Sequence, residues 1–184
     1  MMHREEAVET YRAHSVHNTP VFGLNGWCGW ARLVDVYDGD TITVIVKHFY
    51  TVYKVPVRIY GIDTPEMNSS NIVIRQQALK ARNELVRHLT CGDVVSDIQC
   101  VYTRPQIQSI LSRNVYLVWI CFGNNDKYGR VLGDVYTTDE CGIEDSACDV
   151  LITQKLGFPY DGGKKMDETM QIEMMSESIG LVHL

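Results

Sequence analysis

No run in the chain approaches the eighteen or so apolar residues that cross a bilayer as a helix, so the sequence offers no candidate membrane span. The opening stretch MMHREEAVETYR lacks the apolar centre of a signal peptide, and the expectation is a soluble, intracellular protein. Paired CxxC motifs are missing. The six cysteines (Cys28, Cys91, Cys100, Cys121, Cys141 and Cys148) are scattered through apolar segments, and the histidines are not placed beside them as a zinc site would need. That spacing supplies no structural zinc site, and the cysteines are expected to be reduced core residues. An excess of positive charge is missing too, since 17 Lys and Arg stand against 23 Asp and Glu for a net charge of −6. Bulk electrostatics of that sign repel nucleic acid, so a polyanion would need a local basic site or a bridging cation.

What is present is ordinary for a soluble globular protein: 184 residues, 45% hydrophobic and 22% charged, enough for one domain with a sizeable core. Residues 1–26 show no clear periodicity and read as a loose arm or leader; residues 27–184 read as the domain. WARLVDV and DTITVIVKH alternate as strands around the turn signal YDGD, and YKVPVRIYG adds a third strand. Pro56 within it requires that its missing donor face an edge or bulge. From Asn71 the period changes to helical: Ile74, Ala78, Ala81, Leu85 and Leu89 form a stripe, with Arg75, Gln76, Lys80, Arg82 and Arg87 on other faces. VVSDIQCVY, VYLVWICF and RVLGDVYTT read as further strands, the first two separated by TRPQIQSILSRN. A second helix is predicted over 143–154 with Gly157 as its C′ residue, and a third over 166–178 with Met170, Met174 and Met175 as packing residues. A sheet of this size can curl into a small barrel.

The stretch VRIYGIDTPE begins as an alternating strand and ends in two acids around a proline, where Pro65 must stop it. A meander would bring Asp63 close to Asp40, which follows the Asp-Gly turn. Two unpaired carboxylates that close repel or share a cation, and oxygen ligands favour calcium or magnesium over zinc. The Thr64 carbonyl is a natural third ligand. Arg58, directed away from the barrel interior, and Arg130, after DKYG, offer two guanidinium forks suited to a phosphate. With Glu66 as a carboxylate to accept a proton, these are the parts of a hydrolytic phosphodiester site.

YDGDT, VRIYGIDTPE and DKYGRVLGDVY, in that order, resemble the signature segments of the staphylococcal nuclease (thermonuclease) family over residues 30–165. The resemblance implies an α+β fold, a five-stranded OB-fold β-barrel carrying about three helices, with an insertion near 92–114. It implies calcium held by Asp40, Asp63 and Thr64, catalysis by Arg58, Glu66 and Arg130, and substrate contacts from Lys127, Tyr128 and Tyr160. The implied activity is hydrolysis of DNA and RNA, melted or single-stranded regions first, leaving 3′-phosphates, by a protein taken as a monomer. The YDGGKK segment is similar to that of intracellular members, including those of large DNA viruses. The loop MNSSNIVIRQQ lacks the lysines of the secreted bacterial member, and few lysines are expected along the groove. The alternatives are an OB barrel that holds single strands without cutting them, and a purely structural scaffold.

Overall fold

β-branched residues at alternate positions build the first hairpin. In β2 (Thr41–His48), Ile42, Val44 and Val46 are buried, while Thr41, Thr43, Ile45 and Lys47 face outward. The computed structural model describes residues 3–18, 23–95 and 102–176. β1 (Cys28–Val36), β2 and β3 (Thr51–Ile59) form an antiparallel meander. β3 then pairs in parallel with β6 (Val131–Tyr136), β6 pairs antiparallel with β5 (Tyr116–Asn125), and β5 returns to β1. The result is a closed five-stranded barrel in the order β1-β2-β3-β6-β5, an OB-like α+β architecture with helices packed on it. Pro56 is exposed opposite Thr43, one residue before pairing with β6 begins at Val57, so no ladder donor is missed on that side.

Among the described residues, five helices accompany the barrel. α1 (Arg4–Tyr11) lies in the arm and buries no residue, which explains why no apolar stripe marks it. α2 (Ile72–Leu89) is capped by Asn71, whose side chain accepts from Val73 N, and buries Ile74, Ala78, Ala81, Leu85 and Leu89. Arg82, expected on an outer face, is instead buried, and its guanidinium donates to the Tyr102 carbonyl. Burial lowers its pKa despite Asp38 and Asp35 nearby. α3 (Arg104–Arg113) occupies a stretch that strand patterning marks only as a separator. A Thr103–Gln106 capping box and Pro105 in the first turn start it, and Ile107 and Leu111 bury against β1. The strand expected just before it is not seen at Val94 and Val95, which are buried without pairing; residues 96–101 lie outside the described ones.

α4 (Ala147–Thr153) is shorter than expected, and its left-handed terminal residue is Lys155, at φ 58°, not Gly157. Gly157 is needed for a different reason: a Cβ there would collide with Ile62. α5 (Glu168–Ser176) packs on α2 with Gln171 buried and Ile172 half-buried, so Met170 and Met174, expected to pack, are about half exposed (51% and 46%). Two short strands, β4 (Ile62–Asp63) and β7 (Phe158–Pro159), tie the end of β3 to the segment after α4.

The expectation of reduced cysteines is overturned at one pair. Cys28 and Cys121 face each other across β1 and β5, with Cα atoms 4.1 Å apart, and form a disulfide. Cys91, Cys141 and Cys148 are free thiols, and Cys100 falls outside the described residues. No helix among the described residues is long and apolar enough to cross a membrane.

Candidate active site

The turn between β1 and β2 sets the first acid. Tyr37 N donates to the Thr41 carbonyl (2.9 Å), and Asp40 N donates to Asp38 Oδ1 (3.1 Å). Gly39 cannot be larger, because a Cβ there would stand 2.8 Å from both Ala81 Cβ and Thr64 Cγ2. The turn is therefore pressed between α2 and the residue after Asp63. Asp40 is locked in consequence: its Oδ2 accepts from Thr64 N (2.8 Å) and Thr64 Oγ1 (2.7 Å), and its carbonyl accepts from Ile59 N (2.8 Å).

The second acid follows from how β3 ends. Gly61, at φ +81°, turns the chain out of the barrel into β4, where Asp63 pairs with Phe158. Asp40, Asp63 and Thr64 are 2–3% exposed. Between the two acids stands Arg58, on the outward side of β3 opposite Thr41 yet only 6% exposed. Its guanidinium pairs with Asp40 Oδ1, with Asp63 Oδ1 (2.8 Å) and with the Ile62 carbonyl (2.9 Å). Lys165 Nζ adds contacts to Asp63 Oδ1 (2.8 Å) and Glu66 Oε1 (2.9 Å). The carboxylates expected to be unpaired are thus charge-balanced by Arg58 and Lys165. Burial would lower the Lys165 pKa, but the bonds to Asp63 and Glu66 outweigh it and raise it.

Arg130 is organised by its own turn. Asp126 Oδ1 accepts from Tyr128 N (2.8 Å) and Arg130 N (2.9 Å), and its Oδ2 accepts from Arg130 Nε (2.7 Å). Burial alone would raise the Asp126 pKa, but bonds from Arg130 and Tyr128 hold it below the usual carboxylate value. The Arg130 guanidinium lies 5.7 Å from the centre of the Tyr128 ring and Lys127 Nζ lies 5.2 Å from it.

Arg58, Arg130, Lys127, Tyr128 and Tyr160 all line one cleft of about 410 Å³, between the end of β3, the turn before β6 and residues 160–165. Asp40, Asp63 and Thr64 are buried beside Arg58, whereas Glu66 does not line the cleft; with 62% of its side chain accessible, it meets the cleft through Lys165. Sequence reasoning missed Asp126, Lys164 and Lys165. All three sit in segments with plain turn signals, DKYGR and YDGGKK, but turn chemistry does not say which way a lysine points. The cleft is also richer in lysine than expected, with Lys127, Lys164 and Lys165 on its walls. Asp38 is a further acid that sequence reasoning does not single out. Burial raises its pKa and Glu66 adds to the rise, while Thr41 and Arg58 pull the other way.

The oxygen donors beside this cleft suit a hard cation such as calcium. Among the described residues no three His, Cys, Asp or Glu side chains gather as a metal cluster. What is offered is the two-carboxylate set of Asp40 and Asp63 with the backbone of Thr64, a low-charge donor set that leaves most of a calcium shell to other ligands. The two cationic side chains already on those acids are what a metal would displace. No family model and no curated protein matches the chain.

Proposed function

We propose that the chain is a calcium-dependent nuclease that hydrolyses phosphodiester bonds of DNA and RNA, preferring single-stranded or melted regions, and leaves 3′-phosphates. The observation that carries this reading is the convergence on one cleft of two arginines, two tyrosines and a lysine from three separate segments, beside two buried aspartates. A scissile phosphate in the cleft would lie between the forks of Arg58 and Arg130, which give paired hydrogen bonds to its non-bridging oxygens and stabilise charge gathering there. Glu66, exposed and bonded to Lys165, accepts a proton from the attacking water as the new bond to phosphorus forms and the bond to the 5′ oxygen breaks, and the departing 5′ oxygen takes up a proton from solvent water. Tyr128 and Lys127 hold a neighbouring phosphate, and Tyr160, whose hydroxyl donates to the Gly163 carbonyl (3.0 Å), walls the opposite side. Calcium held by Asp40, Asp63 and the Thr64 carbonyl would supply Lewis-acid polarisation of the phosphate. Nothing in this arrangement reads a base edge, which fits action on both nucleic acids.

A non-cutting single-strand binder is the competing class, favoured by one observation: Arg58 and Lys165 already satisfy both buried acids. Digestion of single-stranded DNA with calcium and with a chelator separates the two. Calcium-dependent fragments ending in 3′-phosphate support the nuclease; intact but bound DNA in both conditions would replace it with the binder.

A further inference from the structure

Residues 160–165 form a built loop that closes one wall of the cleft and reaches back to its acids. Tyr160 N donates to the Gly61 carbonyl (2.9 Å), Gly163 N donates to Asp161 Oδ1 (3.1 Å), and Gly162 adopts φ +94°. The loop delivers Lys165, whose ammonium bridges Asp63 and Glu66 while 47% of its side chain stays accessible. Under the nuclease reading, on which the role of Lys165 rests, Asp63 is a cation ligand and Glu66 is the base. An ammonium within hydrogen-bond distance of an Asp63 oxygen and a divalent ion on that carboxylate repel strongly at such separations, so one must leave for the other to bind. Lysine suits departure. Its charge rides a flexible four-carbon stem with three rotatable donors, and the residue itself lines the cleft. The anion it would meet there is a phosphate of the bound strand.

We propose that Lys165 is a two-position residue coupling cation to substrate. In the free protein it ties Asp63 to Glu66 and holds cation affinity down. When cation and nucleic acid are both bound, it has left the acids for a phosphate oxygen, so each ligand improves the site for the other. Its departure frees Glu66 for the proton and takes away one of the two cations on Asp63, the other being Arg58.

The test is Lys165→Met, which keeps the stem and removes the charge. Affinity for calcium alone is measured by calorimetry. Affinity for thymidine 3′,5′-bisphosphate, which carries two phosphates and no diester to cut, is measured in saturating calcium. Removing a half-exposed ion pair should tighten calcium binding about 3- to 10-fold. Losing a phosphate contact should weaken the bisphosphate by a similar factor, about 3- to 10-fold. Lys165→Arg should keep both affinities near those of the original protein. The opposite signs are the signature. Weakening of both ligands in Lys165→Met would make Lys165 a structural strut, and unchanged calcium affinity would also overturn the proposal. Absence of calcium binding in the unsubstituted protein would instead remove the nuclease reading itself, and the coupling with it.

Discussion

At the scale of single residues, the environment of each side chain sets its chemistry. Glu66 is exposed and its carboxylate meets Lys165, so Glu66→Gln keeps the shape and removes the proton acceptor. Turnover should fall about 10²- to 10⁴-fold while bisphosphate affinity changes little. Steady-state rates beside calorimetry check this, and near-normal turnover would take Glu66 out of the mechanism. Cys148 tests burial. Desolvation first, then Asp149 and Asp134, push its thiol up to about 11. Since only the thiolate alkylates, iodoacetamide at pH 8 should modify the exposed Cys91 and Cys141 well before Cys148, as peptide mapping over time would record. Asp126 ties a residue to acid stability. Its folded pKa lies below the ordinary 3.8, so its ionised form stabilises the fold above that value, and the contribution is lost as pH falls through the folded pKa. Asp126→Asn should therefore flatten acid unfolding below about pH 4 relative to the original protein.

Elements carry the next set of consequences. α3 is joined to β1 by Arg104, which grips the buried Asp35 with Nε (2.9 and 3.2 Å) and a terminal nitrogen while lying over the Tyr37 ring. Arg104→Ala would leave Asp35 buried without its cation. With Arg104 itself about two-fifths exposed, the loss should be about 2 kcal/mol in denaturant unfolding, with turnover per folded molecule far less affected than in Arg130→Ala. α3 shows what sequence can hide in plain view: its capping box and the Ile107–Leu111 spacing are both present, but the surrounding strand signals dominate. The β1–β5 seam shows the reverse. Nothing near Cys28 or Cys121 announces a pairing 93 residues apart; only strand register does. Thiol titration of denatured protein, purified without reductant, should find two fewer groups than after reduction.

For the whole molecule, the acidic net charge and the cationic cleft act at different ranges. Under the proposed function, repulsion at long range should slow encounter with a nucleic acid, whereas Lys127, Arg130, Lys164 and Lys165, which line the cleft, should act within contact distance. Binding of oligothymidylate should thus weaken with salt by a slope of about 2 to 3 in log–log terms, as expected for three or four neutralised phosphates at about 0.7 each. A flat response would leave the lysines outside the interface. A two-carboxylate donor set, partly occupied by Arg58 and Lys165, should bind calcium weakly without substrate. Initial rate should then demand far more than submicromolar free calcium even with magnesium at about a millimolar level.

The strands of the barrel, α2, and the gathering of acids and arginines into YDGD, VRIYGIDTPE and DKYGR were all legible in the sequence. Each depends on residues within a few positions of one another: alternation, a helical stripe, an Asp-Gly turn, a proline stop. Tertiary structure alone decided what those groups meet. It placed Arg58 between Asp40 and Asp63, brought Lys165 from 99 residues away onto Glu66, buried Arg82, and paired Cys28 with Cys121. The physical reason is closure. Local geometry obeys short-range sterics that any window of sequence reveals, whereas the partners of a buried charge are set by barrel register and by loops returning from distant parts of the chain.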